Sequence, residues 1–143
     1  MQSFSKRLLV VDTWVFGCFS DCQHLGQVLQ LLGKILSNCH SIVLDYDEDI
    51  FEEYRRHFDK AKFLHQWYRE MLSKGKITHR PMQNLPLNIY LGNGDKKLVN
   101  LAASTPDRIV ITGDSDLIDN KTHSDFVSHG IAILSLEEAC AML

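Results

Sequence analysis

The sequence lacks any long apolar run. No stretch approaches the roughly 20 residues needed to cross a bilayer, so no membrane association is expected. It lacks a secretory-leader pattern too. The apolar residues after Lys6 and Arg7 are too few for one and run straight into a strand, so a cytoplasmic location is expected. The four cysteines, Cys18, Cys22, Cys39 and Cys140, have no framework spacing. Cys18, Cys22 and His24 have no second ligand pair at a zinc-finger spacing, which leaves buried thiols in a reducing compartment as the expected state. There is no excess of positive charge: the net charge is -3, so a nucleic-acid partner would have to meet local basic patches. There is no internal repeat, low-complexity tract or linker. What is present suits one domain over residues 1–143, with 45% apolar and 23% charged residues, enough for a real core.

The organising stretch is KRLLVVDT, residues 6–13. Leu8, Leu9, Val10 and Val11 form a continuous apolar run, the pattern of a strand covered on both faces. Asp12 follows directly. A carboxylate there is costly to bury unless it is paired, caps a turn or holds a cation. In open parallel sheets, ligands bind beyond the carboxyl ends of the strands. Ser20 and Gln23 have capping-box spacing and are expected to open a helix. Its apolar residues Leu25, Val28, Leu29, Leu32, Ile35 and Leu36 recur at helical spacing. Residues 41–46, SIVLDY, read as a second strand, with Asp45 near its end.

Asp49 to about Ser73 reads as one long helix or two joined ones. With Ile50 at zero, Glu53 lies at roughly 300°, beside His57, whereas Glu52 lies at roughly 200°, on the far face. Glu53 is thus at the edge of the buried stripe, free to reach a cleft or to pair with His57, and Glu52 is expected in water. Residues 74–93 carry Pro81, Pro86, Gly92 and Asn93 and read as an exposed connection or partly helical flap. Asp95 opens the next helix at the head of the stripe Leu98, Val99, Ala102 and Ala103. There it can cap the helix or act as a cleft ligand. Arg108 to Thr112 reads as a strand that runs into Gly113-Asp114-Ser115-Asp116, repeating the apolar-strand-then-acid pattern. Gly113 would permit a tight backbone beside a ligand. Residues 122–128 suit a short helix and 130–134 a last strand. Ser135 and Glu138 form a capping box for a final helix.

This alternation predicts an α/β fold: a three-layer α/β/α sandwich around a central parallel sheet of four to five strands. Asp12, Glu53, Asp95 and Asp114, with Asp116 close behind, share one address, the carboxyl ends of strands and the inner edges of helices. Such a cluster persists if a divalent cation neutralises it or if some members are protonated. An all-oxygen donor set favours Mg²⁺ or Mn²⁺, one or two ions, the equipment of phosphodiester hydrolysis.

The residues VVDT, IFEEY, GDKKLVNLA and ITGDSDL, in that order, resemble the motifs of the PIN domain family, and the likeness extends through GIAILSLEEA. The resemblance implies a metal-dependent endoribonuclease acting on single-stranded RNA, in prokaryotes often the toxin of a toxin–antitoxin pair. It carries catalysis and metal binding onto Asp12, Glu53, Asp95 and Asp114, with Asp116 as the alternative last ligand. A small antitoxin and self-association as a homodimer are the partners to look for. Trp14 departs from the small polar residue common after Asp-Thr, and residues 60–93 are long for a compact toxin. Arg55, Lys74, Lys76, Arg80, Lys96 and Lys97 are candidate RNA contacts, positioning a backbone without reading its sequence. Two competing readings remain. LDYDED around Asp45 and Asp47, with GDSDLID, is similar to a haloacid-dehalogenase-type phosphatase, and a PIN-like scaffold without catalysis would keep the fold alone.

Overall fold

β1 (Leu8–Val11) lies at the centre of a five-stranded sheet in which every pairing is parallel. Its neighbours are β2 (Ser41–Asp45) and β4 (Ile109–Ile111). β3 (Ile77–Arg80) and β5 (Ala132–Leu134) form the edges, giving the order β3-β2-β1-β4-β5. The computed structural model describes residues 6–20 and 23–143.

The helices that flank the sheet are α1 (Thr13–Gly17), α2 (Leu25–Ser37), α3 (Asp49–Phe58), α4 (Lys62–Ser73), α5 (Asn93–Ala102), α6 (Ser115–Ile118), α7 (Ser124–Ser128) and α8 (Leu136–Met142). α5 packs over β1, β2 and β4, while α2 packs against α4 and α8. β2 and β4 are buried at every residue, as their unbroken apolar runs require of strands covered on both faces. Leu9, Val10, Val11, Ile42, Val43, Val110 and Ile111 have almost no exposure and form the floor of one continuous core.

Some elements differ from expectation. β3 lies in the segment read as an exposed connection or partly helical flap, while the stretch 81–92 beyond it has no regular secondary structure, as a connection would. ITHR is only half-buried, so it carries no apolar run to mark it. Its neighbour Lys76 donates from Nζ to the carbonyls of Ile35 (3.1 Å), Asn38 (2.7 Å) and Leu36, closing the C-terminal end of α2. α2 begins at Leu25 with His24 as its cap residue, later than the Ser20–Gln23 capping box implies, and Asp21 and Cys22 lie outside the described residues. Cys39 is exposed rather than buried, unlike Cys18 and Cys140. The Ser135–Glu138 capping box forms as expected, with both reciprocal hydrogen bonds. Among the described residues no helix is long and apolar enough to cross a membrane.

The strand order reverses at β1 and β4: β2 and β3 extend the sheet one way, β5 the other. A crevice opens at the carboxyl ends of strands at such a point. Asp12 and Asp114 follow the two strands that form it.

Candidate metal centre

Asp12, Asp95 and Asp114 each offer a carboxylate oxygen, and these oxygens lie within 4.8 Å of one another. Three separate devices place them. Asp12 leaves β1 and caps α1, its Oδ1 accepting the Trp14 N–H at 3.2 Å. Asp114 leaves β4 and caps α6, its Oδ1 accepting the Asp116 N–H at 2.9 Å. Asp95 sits in the first turn of α5, which has no side-chain cap, so its carboxylate serves the crevice alone. Capping and cluster membership are therefore not alternatives for Asp12 and Asp114; each does both.

Thr112 ties the first and last of these together. Its hydroxyl donates to Asp12 Oδ2 at 2.7 Å and accepts the Asp114 N–H at 3.0 Å. The hydroxyl is fully buried, so both bonds act at low dielectric. Thr112 lies within the ITGDSDL motif, yet its residue type alone gives it no role there. Its signal was a hydroxyl two residues before an acid, which is a common local turn.

Glu53 borders the group without joining the three. Its Oε2 accepts the Thr13 hydroxyl at 3.0 Å, and its charge raises the pKa of both Asp12 and Asp95. The His57 pairing left open by the helix phase does not form. Glu53 is half-buried and Glu52 is exposed, paired with Arg55 at 3.1 Å, as the helical angles required. Beneath them the buried Tyr54 hydroxyl donates to the Val11 carbonyl, fixing α3 to the end of β1. Asp116 is exposed and stands outside the triad. Asp114 is the acid of that pair which reaches Asp12 and Asp95.

The electrostatics are those of like charges pressed together. Burial raises the Asp12 pKa; the Thr112 and Trp14 hydrogen bonds oppose this, and Asp114 and Glu53 add to it. Asp95 is pushed up to about 6, first by burial, then by Asp114, Asp12, Asp116 and Glu53. Two carboxylates at about this separation repel by roughly 3 kcal/mol at an effective dielectric near 20. Among the described residues, no Lys, Arg or His forms an ion pair with any of the three. The donors are all hard oxygen, partly dehydrated and uncompensated, which fits Mg²⁺ or Mn²⁺ and not a thiolate-seeking ion.

The other candidates scatter. Asp45 accepts the N–H groups of Asp49 and Ile50, each at 3.1 Å, and so caps α3 instead of entering the crevice. Asp45, the first carboxylate of the phosphatase-like D-x-D reading, is not part of the carboxylate cluster. Of the basic residues, Lys76 is bound by the α2 carbonyls, Arg80 donates to the Ser104 carbonyl at 3.0 Å, and Lys97 pairs with Asp49 at 3.5 Å. Lys74 and Lys96 are exposed. Gly113 does permit a close approach, but to a side chain: a Cβ there would sit 2.1 Å from the Trp14 ring. Trp14 is thus accommodated by the missing Cβ of Gly113.

A parallel five-stranded sheet flanked by helices, with carboxylates gathered where the strand order reverses, is an α/β/α architecture consistent with a PIN-like fold. A solved structure of the same general fold is that of VapBC2 from Rickettsia felis bound to a DNA fragment from their promoter. The match has a TM-score of 0.53 at 12% identity and covers 90% of this chain and 98% of that one. At that identity the likeness is one of fold. No protein-family model and no curated protein matches the sequence.

Proposed function

We propose that this protein is a metal-dependent endoribonuclease that hydrolyses single-stranded RNA. The observation that carries the reading is the convergence of Asp12, Asp95 and Asp114, from distant parts of the chain, within 4.8 Å and with no cationic partner among the described residues. Asp12, Asp95 and Asp114 would hold Mg²⁺ or Mn²⁺, which when bound lowers the pKa of water and offsets charge on a phosphodiester.

The chain's own groups do the positioning. Thr112 and the Trp14 N–H fix both oxygens of Asp12, and each oxygen keeps a further lone pair for a ligand. Thr13 orients Glu53 through Oε2, leaving Oε1 as a fourth acceptor at the edge of the crevice. The resemblance to PIN domains and the fold shared with VapBC2 support a cytoplasmic toxin role, with a small antitoxin as partner. Homodimerisation is part of the same proposal.

The test is cleavage of single-stranded RNA by the purified protein in Mn²⁺, abolished by EDTA and by Asp12→Asn. Water as nucleophile leaves a 5′-phosphate and a 3′-hydroxyl. A 2′,3′-cyclic phosphate, or cutting undiminished by EDTA, would refute the mechanism. Hydrolysis of a phosphate monoester with no effect on RNA would move the assignment to a phosphatase.

A further inference from the structure

In the segment between β3 and α5, burial alternates residue by residue from Leu85 to Tyr90. Leu85, Leu87 and Ile89 are half-buried against the core, while Pro86, Asn88 and Tyr90 are exposed. Buried polar side chains hold this strap in place. The Leu85 N–H donates to the Asn100 side chain at 3.1 Å, and the Asn88 and Ile89 N–H groups both donate to Asp125 Oδ2 at 2.7 Å. The fixed backbone presents Tyr90 to solvent at 93% exposure, beside a cavity of about 480 Å³. The cavity is walled by the strap from Leu87 to Leu91 and by Asn93 and Lys96 of α5. Asp95 stands between those two residues in the first turn of α5, without itself lining the cavity.

The wall joins the apolar side chains of Leu87, Ile89 and Leu91 to groups suited to a nucleotide. These are the Tyr90 ring, with no ring packed on it among the described residues, the exposed Lys96 ammonium and the Asn88 and Asn93 amides. The volume falls within the range of small-ligand sites. A protein of net charge -3, with its acids gathered in one crevice, needs a grip on RNA outside that crevice. Lys96 supplies a charge for a phosphate, and Tyr90 supplies a stacking surface that accepts any base.

We infer that Tyr90, Lys96 and the strap cavity form a subsite for one nucleotide of single-stranded RNA, its base on the Tyr90 ring and its phosphate at Lys96. The assignment rests on the ribonuclease reading above. It adds a base-stacking position that the carboxylates do not require.

The experiment measures binding of a short labelled single-stranded RNA by anisotropy, in EDTA so that no cleavage competes. Tyr90→Ala should weaken binding about 5- to 150-fold, the range for loss of one base–aromatic stack, whereas Tyr90→Phe should bind like the parent. RNAs carrying one abasic ribose, moved along the strand, identify the stacked base. At one position the lesion should weaken the parent and leave Tyr90→Ala unchanged. If Tyr90→Ala binds as the parent does, or no abasic position couples to it, the subsite is overturned while RNA cleavage by the parent still upholds the ribonuclease reading. If the parent neither binds nor cuts RNA, both fall together. Tyr90 is in solvent, so the melting temperature of Tyr90→Ala should match that of the parent and exclude misfolding as the cause.

Discussion

Replacing Asp95 with Asn should stabilise the metal-free protein, and only above a particular pH. The folded Asp95 carboxyl takes up its proton near pH 6, against a usual 3.8. Below pH 3.8 the folded and unfolded chains both carry the proton, and the site costs nothing. Between 3.8 and 6 the unfolded chain ionises first, so stability falls as pH rises. Above 6 the whole penalty applies. The full difference corresponds to about 3 kcal/mol. Asp95 is only half-buried and water screens it, so about 1.5 kcal/mol is the better expectation. The favourable field of the α5 N-terminus is already outweighed, since the carboxyl is raised on balance. For a chain of this size that is a gain of about 3–6 °C in Tm. Scanning calorimetry of both proteins in EDTA, from pH 4 to pH 8, measures it (the pH range is about that of the titration). The curves should converge at the acid end and separate through the window between 3.8 and 6. Saturating Mn²⁺ should then reverse the order, because the parent gains more from binding than the variant that has lost a ligand. A variant less stable than the parent at pH 8 in EDTA, or a gap independent of pH, would refute the account of the triad as mutually repelling carboxylates.

Three further outcomes follow from particular contacts. Glu53→Gln should lower RNA cleavage about 100-fold by loosening a group that borders the triad, whereas Glu52→Gln should leave turnover unchanged because that side chain meets only Arg55; equal losses in a cleavage assay would disprove the division. Lys76→Met should cost about 1–2 kcal/mol in urea unfolding, through the orphaned α2 carbonyls, with RNA affinity unaltered. Gly113→Ala should cost about 2–3 kcal/mol by driving a methyl into the Trp14 ring, and the same change in a Trp14→Ala background should cost markedly less.

The site was legible where local pattern and chemistry coincide. LLVV followed by Asp12, and RIVIT followed by Asp114, announce buried strands that deliver carboxylates, and the structure joins both to Asp95. The angle between Glu52 and Glu53 on α3 needed only helix geometry, and their exposures differ as that geometry demands. What stayed hidden depends on partners far away in sequence. β3 has no apolar run of its own and is a strand because β2 offers it an edge, from Ile42 against Ile77 to Asp45 against Arg80. Lys76 reads as one more surface cation until α2 ends beside it. Nothing in the sequence marks Asp125 as the anchor of the strap, and Gly113 reads as a ligand cradle until Trp14 fills the space.

The placement of β1 at the centre of the sheet has a consequence in time. It is the first of the five strands to be synthesised, and it can pair with β2 soon afterwards. Its other edge waits for β4, and the Thr112–Asp12 bond closes across 100 residues. At ribosomal speeds of ~5–20 residues per second, that gap lasts about 5–20 s. Throughout it Asp12 is one carboxylate in a half-built sheet, with neither Thr112 nor Asp114 beside it. A chain stalled before residue 109 would lack the assembled triad. It would expose the apolar edge of β1, a template for pairing with its neighbours on a polysome.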